Sequence, residues 1–95
     1  MVKILVSDKV SGADSVSQGK LICASLQSAL ANEDVVILSF KGVGSASSSF
    51  VSAALIDIIR SMKFEDFKRR VKIADASWQI IDVVKRRVDL ELTNA

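Results

Sequence analysis

The sequence predicts an α/β fold: a small mixed or mostly parallel sheet with helix cover, in β-α-β-α-β-α order. Three observations predict it. Short aliphatic runs of strand length recur at 2–6, 35–40 and 71–74. The segments between them carry apolar residues at helical spacing. The two kinds of segment alternate along the chain, which argues for parallel strands joined by right-handed crossovers.

The first run, VKILV, reads as a buried strand that ends in the polar Ser7-Asp8-Lys9. Ser11 to Ser15 is turn chemistry, and Asp14, Ser15 or Ser17 can cap the helix that follows. That helix is expected to run to about Ala31, with Leu21, Ile22, Leu26, Ala29 and Leu30 on one face and Asn32 as a stop. Gly19 in its first turns costs up to ~1 kcal/mol relative to Ala, so a close contact or a functional role is expected there. Val35–Phe40 opens with four consecutive aliphatics, the pattern of a central strand covered on both faces.

The next helix is expected to start near Ser48 or Ser49. Its stripe, from Phe50 and Val51 through Ile58, Ile59 and Met62, is the clearest helical pattern in the chain. The charged segment Lys63–Arg70 reads as a surface turn of helix pinned by Phe64 and Phe67. Val71–Ala74 is a third strand with Val71 and Ile73 inward. A last helix follows, capped by Asp75 or Ser77 and carrying Trp78 as a core anchor. Val88, Leu90 and Leu92 alternate with Asp89 and Glu91, which suits an edge strand and leaves homodimer pairing open.

Composition narrows the function classes. The 95 residues are expected to form a single domain, 49% hydrophobic and 25% charged, which is globular rather than disordered. The net charge of +2 does not argue for nucleic acid. Nine of the thirteen Lys and Arg residues lie after position 59, so a basic nucleic-acid surface at Lys68–Lys72 and Lys85–Arg87 is an alternative to weigh. Without histidine there is no Ser–His or Cys–His nucleophile pair and no imidazole metal site, so neither an enzyme nor a metal or cofactor is expected. The single Cys23 lies among aliphatics and reads as a reduced core thiol. The opening MVKILVSDKV has an apolar run too short for a signal peptide or a membrane span, so no membrane association and a cytoplasmic location are expected.

The chemistry concentrates between the second strand and its helix. The loop Gly42-Val43-Gly44-Ser45-Ala46-Ser47 nearly fits G-x-G-x-x-G in the strand–loop–helix context that places a pyrophosphate on a helix N-terminus. Nucleotide or phosphate-ligand binding is therefore a second alternative. The run Ser47-Ser48-Ser49 supplies one N-cap hydroxyl and two beyond that need. A phosphoryl group there would add about −1.5 to −2 charge at the positive end of a helix, which makes these serines candidate phosphosites.

The residues Val36 to Val43, then Ser48 to Leu55, resemble the STAS-like domain family of small bacterial and phage proteins, mostly of unknown function. These are related in fold to anti-sigma-factor antagonists. Phe67 to Ala76 is similar to that family's third strand and helix entry, and Ser15 to Gly19 to its first helix start. The resemblance implies a non-enzymatic regulatory module whose protein partner docks at the 42–49 loop and helix start, with a kinase-like ATPase as the partner type. It places Ser48 or Ser49 where the antagonists are phosphorylated. Ser39 stands where the family usually has Asp, and Val16 or Ser17 where an Arg is often present. The contact residues expected are thus Ser47, Ser48 and Ser49, the loop residues Gly42, Gly44 and Ser45, and secondarily Gly19 and Ser39.

Overall fold

The computed structural model describes residues 1–93. Three strands, β1 (Val2–Leu5), β2 (Val36–Ser39) and β3 (Val71–Ala74), form a sheet in the order β1-β2-β3. Both pairings are parallel, and Val2, Val36 and Val71 share one row. The sheet is thus wholly parallel, where a mixed or mostly parallel one is expected from the sequence.

Both crossovers step in the same direction across the sheet. Right-handed connections then put the intervening helices on one face. Val36, Leu38 and Val71 are buried beneath that layer. In the alternate row, Ile37 is half-buried between the exposed Lys3 and Lys72. β2 is central as expected, yet helices cover one of its faces and not both.

Two short helices interrupt the expected alternation: α1 (Val6–Lys9) directly after β1, and α4 (Phe64–Arg70) directly before β3. Ser7-Asp8-Lys9, read as the polar end of a strand, forms α1, because Val6 turns into the core at full burial. α4 follows the expected helical turn, with Phe67 buried and Phe64 half-buried.

The main helices are α2 (Val16–Asn32) and α3 (Ser48–Arg60). Ser15 caps α2 through a capping box, accepting from the Gln18 amide while the Gln18 side chain accepts from the Ser15 amide. The α3 stripe is buried as its spacing predicts, from Phe50 through Ile59. Gly19 lies where α2 crosses α3. A β-carbon there would stand 2.4 Å from the Phe50 carbonyl oxygen and 2.7 Å from the Ala53 β-carbon. The absent side chain is what lets the two backbones approach. Gly19, a secondary contact candidate in the sequence, is accounted for by packing.

The C-terminus departs most from expectation. Val88–Leu92 is helix, not edge strand, because α5 (Trp78–Thr93) continues unbroken. The side chains of Arg87 and Glu91 fasten α5 to Ser52 and Arg60 of α3. Trp78 is not a core anchor. It is 86% exposed, whereas Ile80 of the same helix is fully buried.

Substituting Gly19→Ala is expected to destabilise the fold by ~1–2 kcal/mol net, because overpacking against backbone outweighs the gain of up to ~1 kcal/mol in helix propensity. Urea denaturation checks this. An unchanged or higher midpoint would mean that α2 and α3 can separate freely.

Candidate functional site

Three segments meet at the C-terminal end of the parallel strands, where open α/β sheets present their ligands. They are residues 10–14, the 40–47 loop and the 75–79 entry to α5. Gly42 enables the first turn. Its φ is +81°, and the Val43 amide donates back to the Phe40 carbonyl at 2.9 Å. The loop then crosses to α3 with no regular structure of its own, so its polar backbone groups need other partners.

Gln79 supplies two of them with one amide. The Ala46 N–H donates to Gln79 Oε1 at 2.9 Å, and Gln79 Nε2 donates to the Ala46 carbonyl at 2.8 Å. Ser77 Oγ donates to the Gly44 carbonyl at 3.0 Å. The Ser47 N–H donates to the Ala13 carbonyl at 2.9 Å, tying the loop to the 10–14 segment. The methyl group of Ala46 is buried beneath. The loop is therefore fixed along its length, and Trp78 projects into solvent between the two residues that fix it.

The three serines separate in role. Ser47 Oγ accepts from the Phe50 N–H at 3.1 Å and is the N-cap of α3. Ser48 and Ser49 are exposed in the first turn. Gly42, Gly44 and Ser45 are exposed as well, and nothing lies within 4 Å of a β-carbon built on either glycine. Between this loop and the 10–14 segment is a cavity of ≈ 660 Å³, lined by Ser7, Ser11, Asp14, Ser45 and Gln79 among others. Asp14 is the one ionisable side chain on its wall among the described residues.

Ser39 is fully buried, not a surface contact. Its Oγ donates to Asp75 Oδ2 at 2.6 Å and accepts from the Lys41 N–H at 3.3 Å. Asp75 sits in the left-handed region at φ +56°, which Asp tolerates better than most residues. Lys3 Nζ approaches the same carboxylate oxygen at 3.8 Å. The Ser39 hydrogen bond is the main cause holding the Asp75 carboxyl below its usual range. The fields of Lys3 and Lys41 assist, against partial desolvation.

Most of the basic residues are committed. Arg70 donates to the carbonyls of Leu30, Glu33 and Asp34 and so completes the C-terminal end of α2. Arg69 meets Asp34 and Asp66, and Arg86 meets Asp82. Lys68 lies over the Phe64 ring at 5.5 Å. Burial, assisted by the charge of Asp57, raises the Cys23 thiol pKa, which suits an unreactive core residue. Among the described residues no group of acids and thiols could hold a metal ion, and no helix is long and apolar enough to cross a membrane.

A family model described as a STAS-like domain of unknown function matches residues 18–80. The chain belongs to this family. The matched span runs from the first turn of α2 to Ile80, so it contains the 42–47 loop, its Gln79 support and the Ser39–Asp75 pair. No curated protein and no solved structure matches the chain.

Replacing Ser39 with Ala is expected to raise the Asp75 pKa toward that of an ordinary carboxyl, readable by carbon-detected NMR titration. The folded-state pKa of Asp75 is depressed, so its stabilisation is present above the unfolded pKa and fades as pH falls through the folded one. Wild-type stability should therefore drop more steeply on acidification than that of S39A. Equal acid slopes with an unmoved Asp75 titration would contradict the assignment.

Proposed function

We propose that this chain is a non-enzymatic regulatory protein–protein interaction module. It docks a protein partner on the 42–49 loop and the start of α3, under the control of phosphorylation at Ser48 or Ser49. Trp78 carries the reading. A large aromatic at 86% exposure sits beside a loop held rigid by its two chain neighbours. Exposed tryptophans of this kind dominate binding energy once a partner buries them, and a fixed loop loses little entropy on docking.

The serine geometry supports the control. A phosphate on Ser47 would cost the α3 cap, whereas Ser48 and Ser49 can be modified with the cap intact. The added negative charge would sit at the positive end of α3 and alter the potential of the docking face. An acidic partner surface would be repelled and a basic one drawn in. The likeness to anti-sigma-factor antagonists supports a kinase-like ATPase as partner. The non-enzymatic part rests on the missing histidine, and the cytoplasmic setting on the buried, unpaired Cys23. Nucleotide binding at the loop is disfavoured by a cavity wall that offers a carboxylate and no cation. Nucleic-acid binding is disfavoured because Arg69, Arg70 and Arg86 already serve internal partners.

Incubation with ATP and a lysate of the source organism, followed by mass spectrometry, should find phosphate on Ser48 or Ser49 and none on Ser47. Trp78→Ala should leave stability within about 0.5 kcal/mol of wild type while abolishing partner capture. Repeated failure to find a modified 42–60 peptide would remove the switch. Full partner capture by W78A would remove the docking site.

A further inference from the structure

We propose that the outer edge of β3, beneath α5, receives an extended segment of a partner protein as a fourth strand, with side chains alternating between apolar and acidic. This surface is separate from the 42–49 loop.

The backbone supplies the first reason. The pairing register and the Phe40 N–H bond to the Ala74 carbonyl turn Lys72 and Ala74 toward β2. Ile73 therefore points its N–H and C=O away from the sheet, and among the described residues neither meets a partner. The Val71 N–H is already satisfied by the Phe67 carbonyl, so the open ladder begins at the Val71 C=O. An unpaired edge of this kind is a template for strand addition.

The groove supplies the second. α5 overhangs the edge and leaves a cavity of ≈ 460 Å³ lined by Ile73, Ala76, Ile81 and Val84, with Asp75 and Lys85 at its margin. Asp75 is engaged by Ser39 and Lys3. The opposite edge of the sheet differs, since the hollow beside β1 is lined by Ser25, Ser28, Asn32 and Glu33 as well as aliphatics. An added strand at β3 would turn alternate side chains into the apolar groove and the others toward the opposite face.

Charge selects the occupant. Lys72 stands exposed on that opposite face and Lys85 on the groove margin, and neither has an ion-pair partner among the described residues. Acidic residues at the outward positions would lie across from Lys72. A second copy fits poorly, because β1 presents Lys3 and β3 presents Lys72 on the same face, so like charges would meet. The chain's own Val88–Leu92 has the required alternation but is wound into α5, where Arg60 holds Glu91.

The test is an NMR titration of the full chain with a short acetylated peptide alternating Val and Asp, at low salt. The Ile73 amide should shift and its hydrogen exchange should slow. A peptide alternating Val and Lys should not bind, and N-methylation of the ladder-facing amides should abolish binding. Lys72→Glu, a surface change that leaves folding intact, should weaken binding by about fivefold. The proposal is overturned if the Val/Asp peptide fails to bind, or if it binds with Ile73 exchange unchanged or with N-methylation tolerated. Self-association that protects Ile73 without peptide would make a second copy the occupant and equally overturn it.

Discussion

The side-chain amide of Gln79 is the constraint on which the candidate site depends. It meets both polar groups of Ala46 at once, donating to one and accepting from the other. Without it, a loop between a buried strand and a buried helix would have to solvate its own backbone. With it, the α5 entry, the 42–47 loop and, through the Ser47 bond to Ala13, the 10–14 segment become one surface. Exposed Ser48, Ser49 and Trp78 are then displayed on a fixed frame rather than a mobile loop.

Beneath this frame the helices are held by closeness. Gly19 admits the α3 backbone to a distance that any side chain would forbid, and the α3 stripe joins Val36, Leu38 and Val71 of the sheet in one buried core. Much of the charge is bound up in finishing this architecture. Arg70 answers three carbonyls at the end of α2, and Arg60 and Arg87 help fix α5 to α3. The basic character of the C-terminal half is therefore in good part structural.

The parts legible in the sequence were those set by local chemistry. The three strands and the α3 stripe follow from runs and periods that no tertiary contact needed to arbitrate. The Ser47 cap and the exposed hydroxyls after it follow from helix-end demands. Where two periods competed, tertiary contact decided. Val88, Leu90 and Leu92 alternate like a strand, but Ile80, Val84 and Val88 are spaced by four, and the contacts of Arg87 and Glu91 with α3 favour the helix. Hydrophobicity alone favours burial of Trp78, but its position on the helix face leaves it exposed. The Ser39–Asp75 and Gln79–Ala46 pairs join residues more than thirty positions apart, and one sequence carries no signal for either.

The most direct measurement is amide hydrogen exchange at Ala46 in a Gln79→Ala variant. Loss of the two bonds at that site should speed exchange of the Ala46 amide by about tenfold or more, while protection in α2 and β2 stays at wild-type values. Unchanged protection at Ala46 would mean that the loop is held by something other than Gln79 and would contradict the account.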